Sequence, residues 1–179
     1  RALATPAELD GAIAAGHRAR ASWRATPLDE RIAVLRALVD AFVAEGDAIA
    51  DELTAQMGRP RRFSPGEVSG LADRANTMLD LAPAALADVV PPPKQGFRRL
   101  VRREPLGLVL VLAPWNYPYL TAVNAVIPAL AAGNTVLLKH SDQTPLCAER
   151  MVAAGRAAGL PPGVFEYIHM RHDLTAAAV

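Results

Sequence analysis

The chain has 179 residues, enough for one domain with its own core. Apolar residues make up 51% and charged residues 21%, the ordinary balance of a globular protein, and a net charge of +1 gives no argument for nucleic acid, membrane or acidic substrate. One Cys excludes an intramolecular disulfide framework, so a reducing cytoplasm is the expected compartment; no signal-peptide pattern is visible. The basic residues are 17 Arg and two Lys, an imbalance that reads as genome composition rather than function.

The first ninety residues read as helices. Thr5-Pro-Ala-Glu8, Thr26-Pro-Leu-Asp29 and Ser64-Pro-Gly-Glu67 each place an N-cap hydroxyl, a Pro at the first helical position and an acid at the third. After the second, Leu28, Ile32, Leu35, Val39, Phe42 and Val43 form one apolar stripe at helical spacing. Gly46 interrupts it, and a shorter helix carrying Ile49 and Leu53 stops at Gly58 and Pro60. The helix after Ser64 presents Val68, Leu71, Ala75, Met78 and Leu79. There is no internal repeat beyond these caps.

Pro91-Pro-Pro93 is a stiff connector lacking three backbone donors, and Phe97–Arg103, with four Arg, reads as a strand with a solvated or interface face. The apolar run from Leu106 to Ala113 is far too short to span a bilayer. Its Leu108–Leu112 part suits a parallel strand buried on both faces. A helix over 122–132 ending at Gly133, a strand over 135–139, a helix from Thr144-Pro145 to about Ala158, a turn over 159–163 and a strand over 164–170 follow. This β-α-β-α-β alternation predicts α/β architecture: N-terminal helices, then part of a doubly wound parallel sheet with right-handed crossovers.

Two residues stand out. Asn116 lies in a Pro-bracketed loop directly after the buried strand, where a side-chain amide can hang over a pocket and donate to an oxyanion. Lys139 ends the next strand, and open α/β sheets meet ligands at strand C-termini. They are 23 residues apart, about one crossover unit. Read alone, Asn116 also fits a residue that satisfies its own loop backbone, Asp142 or Ser141 fits a local turn cap, and Trp115 fits a core Trp at a strand end.

Glu104-Pro-Leu-Gly, Pro114-Trp-Asn-Tyr-Pro118, Pro128-Ala-Leu-Ala-Ala-Gly-Asn134, Lys139 with Asp142-Gln-Thr-Pro145, and Ala158-Gly-Leu-Pro-Pro-Gly-Val-Phe165 occur in this order. As an ordered set they resemble the aldehyde dehydrogenase superfamily, with weaker similarity at Asp29-Glu-Arg31 and Met57-Gly-Arg-Pro60. The resemblance covers most of this chain but less than half of a family subunit. It implies a Rossmann-like cofactor domain with a helical part over 1–90, a connector and strand of an oligomerisation extension over 91–106, and the β-α-β-α-β part over 107–179. The nucleophilic Cys, the general-base Glu and a glycine-rich cofactor turn would follow later, so the catalytic domain is expected to be absent from these residues and the segment alone to be inactive.

The resemblance also implies roles. Asn116 would stabilise the oxyanion formed when a thiolate attacks an aldehyde. Pro114 and Trp115 would shape the cofactor wall. Lys139 and Asp142 would bind the adenosine ribose of NAD, since an ammonium donor and a carboxylate acceptor suit a diol and a carboxylate repels a 2′-phosphate. The pattern departs from the family at His140, usually Pro, and at Asp142, commonly Glu and one methylene longer. The implied reaction is NAD-dependent oxidation of an aldehyde to a carboxylic acid through a Cys thioester, by a homo-oligomer, dimer or tetramer. The alternatives are a truncated cofactor-binding or assembly module without catalysis, and a relative acylating coenzyme A or phosphate. Tyr117, Tyr119 and Asn124 lie near enough in sequence to contribute to substrate selection.

Other candidates are set aside. Cys147 falls in a first helical turn, where the dipole lowers a thiol pKa, but a small packed Cys is the expected reading. His169 and His172 lack the further ligands of a metal site. The Arg59, Arg61, Arg62 group and the Arg98–Arg103 cluster carry no nucleic-acid motif and read as solvated faces.

Overall fold

A computed structural model describes residues 1–179. Four helices come first: α1 (Pro6–Ala25), α2 (Leu28–Ala44), α3 (Gly46–Met57) and, after a single 3-10 turn at Arg61–Phe63, α4 (Pro65–Leu86). The alternating unit is β1 (Leu108–Ala113), α5 (Pro118–Ala131), β2 (Thr135–His140), α6 (Leu146–Ala157), β3 (Phe165–Tyr167) and α7 (His172–Ala177). The three strands form one parallel sheet in the order β1-β2-β3.

Strand β2 is buried on both faces, whereas the edge strand β1 is half-buried over Leu108–Leu110 and exposes Leu112, so the double burial expected of Leu108–Leu112 does not hold; the period of two along each strand decides what each side chain meets. Leu108, Leu110 and Leu137 pack with Leu9 and Ile13 of α1 and Leu174 of α7. Val109, Val111, Ala113, Val136 and Leu138 join the larger cluster built by α2, α4, α5 and α6, including Leu35, Phe42, Leu71, Val126 and Met151. Two side chains tie layers together. The Trp23 indole donates to Leu130 O at 3.0 Å, and Asn134 accepts from Gly107 N at 2.9 Å while donating to Ala129 O at 3.1 Å. Gly16 lets α1 approach the sheet, since a Cβ there would sit 2.7 Å from Leu108 Cδ1. Gly133 stops α5 at φ 91°, as expected of a left-handed C-terminal residue.

The capping pattern behaves in three different ways. Thr5 forms a full capping box with Glu8. Thr26 does not cap α2, whose N-cap is Pro27 without a side-chain bond; its hydroxyl instead donates to Ser22 O and closes α1. Ser64 lies at the start of α4 but has helical backbone angles, and its hydroxyl bonds Thr54 Oγ at 2.8 Å. Glu67 consequently leaves its own helix end and turns inward, fully buried.

Four expected boundaries need correction. Phe97–Arg103 is not a strand: within 87–106 only the isolated antiparallel bridges Val89–Val101 and Lys94–Phe97 form. A lone pair of segments with no third strand or helix beneath it has nothing to extend its ladder. Helix α5 starts at Pro118, four residues before the expected Ala122, because Pro is suited to a first turn. Strand β3 covers only Phe165–Tyr167 rather than 164–170, although Ile168 N still bonds Leu138 O. The segment after Met170, to which the sequence reading assigns no element, carries α7. In the α2 stripe, Val43 points to solvent and Leu38 takes a core position instead. No helix is long and apolar enough to cross a membrane.

Candidate cofactor and active site

The register of β1 against β2 sets the site. Leu112 pairs with Lys139 and Ala113 with His140, so both strands end at the same sheet edge. The loop after Ala113 and the turn after His140 therefore leave side by side, and Ser141 N bonds Ala113 O at 2.9 Å across them. Alternation then sends Lys139 to the α7 side and His140 to the α5 side.

On the α7 side, Leu112, Ala113, Pro114, Lys139, Ser141, Asp142, His172 and Thr175 line an open groove of about 410 Å³. Lys139 is buried to 6% exposure, and its Nζ meets Asp142 Oδ1 at 3.2 Å. Asp142 is thus long enough to reach the ammonium, despite being a methylene shorter than Glu. With one ammonium N–H given to Asp142, the pair offers up to two further N–H donors next to an acceptor-only carboxylate at the groove rim, a set that matches a vicinal diol. Ser141 Oγ accepts from Gln143 N at 3.3 Å, so it is Ser141, not Asp142, that caps the local turn.

Pro114, Lys139 and Asp142 share this groove; Trp115 and Asn116 lie in the same β1–α5 loop, both exposed, outside its lining. Trp115 is 47% exposed and is not a core residue. The loop is held by groups other than Asn116: Ala113 O at its start, and Pro118 O, Tyr119 N and Leu120 N at its end. Tyr117 is exposed beside Asn116, whereas Tyr119 is fully buried and packs edge-on against Phe42 at 4.9 Å. Tyr119 is therefore a core residue. Asn124 is exposed on α5.

His140 occupies the position where the family resemblance leads one to expect Pro. It is 1% exposed. Its Nδ1 accepts from Ser141 N at 3.2 Å and faces Thr144 Oγ at 3.2 Å, which leaves the proton on Nε2, donating to Pro118 O at 3.2 Å. Burial pushes its pKa from 6.5 to about 4, so the ring is neutral near pH 7. His140 thereby joins the β2 turn to the first residue of α5.

Burial also pushes the Cys147 thiol up to about 12, against a smaller opposing effect of Tyr119. Cys147 is fully buried at the start of α6 and stays a thiol, the packed role expected of it. His169 bonds Glu149 Oε1 at 3.0 Å, whereas His172 lines the groove.

Sequence reading did not single out Glu67. It reads there as the third residue of a capping pattern, yet its carboxylate reaches across to the candidate loop. Oε1 takes Arg59 Nη1 at 2.8 Å, and Oε2 accepts Tyr119 N and Leu120 N, each at 3.2 Å. The available signal was an acid inside the spacing of Val68, Leu71 and Ala75, a buried position where an acid needs partners.

A sequence model of the aldehyde dehydrogenase family matches residues 1–179. A betaine aldehyde dehydrogenase of Cereibacter sphaeroides is 37% identical over 177 residues, covering 98% of this chain and 36% of that protein. A 3-sulfolactaldehyde dehydrogenase of Pseudomonas putida is 33% identical over 162 residues, covering 90% of this chain and 33% of that protein. The structure of an NADP-dependent glyceraldehyde-3-phosphate dehydrogenase of Bacillus halodurans, complexed with NADP, superposes with a TM-score of 0.90 at 31% identity, covering 98% of this chain and 38% of that one. This chain therefore spans about a third of the length of the relatives it matches. With all 179 residues inside the family's pattern and the fold reproduced, the chain belongs to the aldehyde dehydrogenase family.

Proposed function

We propose that this chain is the N-terminal, cofactor-binding portion of an NAD-dependent aldehyde dehydrogenase. The observation that carries the reading is the β1–β2 register, which brings the Asn116 loop and the Lys139–Asp142 pair to one sheet edge. Open α/β sheets bind nucleotides at such an edge.

In this reading Lys139 Nζ donates to one hydroxyl of the adenosine ribose and Asp142 accepts from the other. Pro114 forms the adjoining wall, with Trp115 at its margin. When bound, NAD supplies the hydride acceptor that the chain itself lacks. Asn116 acts at the reacting carbonyl: its amide donates to the oxygen as a thiolate adds, without any change in its own charge. The thiolate and the base that activates water would come from outside these residues, and the product would be a carboxylic acid. Asp142 favours NAD over NADP by repelling a 2′-phosphate. The 87–106 segment, which exposes Val90, Phe97, Val101 and Leu106, would pair subunits of a homo-oligomer.

The test uses the complete polypeptide carrying this segment. NAD binding followed by calorimetry, with turnover of a small aldehyde in parallel, should show Lys139→Ala weakening NAD by about tenfold, the scale of one charge-assisted hydrogen bond. Asn116→Ala should lower kcat by about 10²-fold with NAD affinity nearly intact. Unchanged turnover for Asn116→Ala would end the oxyanion role. Tighter binding of NADP than NAD would reverse the cofactor assignment.

A further inference from the structure

We infer that Glu67, supplied by the N-terminal helical layer, is a positioning residue for Asn116, fixing the first turn of α5 and, with Arg59, the loop that presents the amide. The inference rests on the reading of Asn116 as the oxyanion donor.

Helix α5 begins without a cap of its own. Pro118 has no N–H, Tyr117 makes no side-chain cap, and the next two donors, Tyr119 N and Leu120 N, have no partner within the helix. Glu67 Oε2 accepts both from a distance of more than fifty residues along the chain. A negative group at a helix N-terminus is also favoured by the helix dipole. A fully buried carboxylate is costly unless every partner is in place, and here the remaining oxygen is taken by Arg59 Nη1 at 2.8 Å. Glu67 is in the first turn of α4, where an acid is favoured in any case, yet its carboxylate makes no capping bond there and bonds only groups outside the helix. Arg59 does a second thing: its guanidinium lies 5.5 Å from the centre of the Tyr117 ring, the residue next to Asn116. The loop 114–117 is thus strung between two fixed points, the β1 end tied to Ser141 and the α5 turn held by Glu67. An amide aimed at a developing charge must be held to about 0.5 Å, and a misplacement of about 1 Å can cost about 10²-fold in rate.

The test is a cycle of Glu67→Gln and Asn116→Ala, singly and together, in the complete polypeptide. Gln keeps the size and one acceptor oxygen but loses the charge that Arg59 and the α5 amides share. Expected for Glu67→Gln is a fall in kcat of about tenfold or more, with KM for NAD within about twofold. In the Asn116→Ala background the same change should cost less than about twofold, because residues acting as a unit are non-additive. Equal losses in both backgrounds, or an unchanged kcat, would overturn the inference. Amide exchange gives a readout independent of activity: Tyr119 and Leu120 should lose protection in Glu67→Gln while Val136 in β2 keeps it. Retained protection at both amides also overturns the inference. Should Glu67→Gln not fold, Tyr117→Leu, at an exposed position, removes the Arg59–ring contact and should lower kcat in the same non-additive way; an unchanged kcat there counts against the loop's anchoring. Full turnover in Asn116→Ala alone would instead bring down the oxyanion reading, leaving the exchange result to stand as a statement about α5.

Discussion

Strand β2 and the 87–106 segment both carry branched apolar residues, although the second spreads five of them among seven charged residues, and they end in opposite states. All six residues of β2 are buried. In the other segment Val89, Val90, Phe97, Leu100, Val101 and Leu106 are all exposed, Leu106 to 91%. Strand β2 has a neighbour on each edge and helices over each face, so its backbone groups and side chains are both satisfied. The 87–106 segment has two isolated bridges and no layer against it. Apolar content is therefore a licence for burial, and the topology around a segment decides whether burial happens.

The comparison can be broken from either end. Leu138→Ala, in the centre of β2, should destabilise the chain by about 2–5 kcal/mol in urea unfolding, because it leaves a cavity between α5 and α6. A loss below about 1 kcal/mol would mean that β2 is not the core that its burial indicates. The next effect comes from the end of β2. His140 has a folded pKa of about 4 against an ordinary 6.5, so unfolded chains bind the proton first as pH falls. Its contribution to stability is whole above pH 6.5 and is lost as pH drops toward 4. Wild type should lose about 2 kcal/mol between about pH 7 and pH 5, a window above the range where Glu8 and Glu149, with lowered pKa values, take up protons. His140→Gln should flatten that slope, and an unchanged slope would show that another group carries it. The smallest effect is expected at Leu106→Ala, within about 0.5 kcal/mol in the same urea experiment on this segment. A larger loss would mean that the 87–106 segment is covered by a partner in solution.

Legibility in the sequence followed the range of the interactions. The α2 stripe, the stop at Gly58, the parallel β-α-β-α-β unit and the Gly133 stop were all readable, because each depends on periodicity or on one residue's backbone preference. The same local logic failed for Thr26 and Ser64, whose hydroxyls found partners other than their own helix ends. It failed at Phe97–Arg103 because strand propensity cannot supply a sheet. Around the candidate site, Lys139 and Asn116 stand out by type and position, whereas Asp142 enters only through the family resemblance. Glu67 could not, since its meaning lies in Tyr119 and Leu120 of another element.

By itself the sequence determined the four N-terminal helices and the β-α-β-α-β alternation, since these rest on side-chain periods of 3.6 and 2 and on Gly and Pro backbone limits, while the family resemblance rests on the ordered motifs. Only the tertiary structure decided which side chains share a face and which distant groups complete each other: Lys139 turned toward α7, His140 turned toward Pro118, and Glu67 capping a helix it does not belong to. The physical reason is that a buried polar group must find partners wherever the fold places them, and the strand register and helix packing that supply those partners are properties of the whole chain.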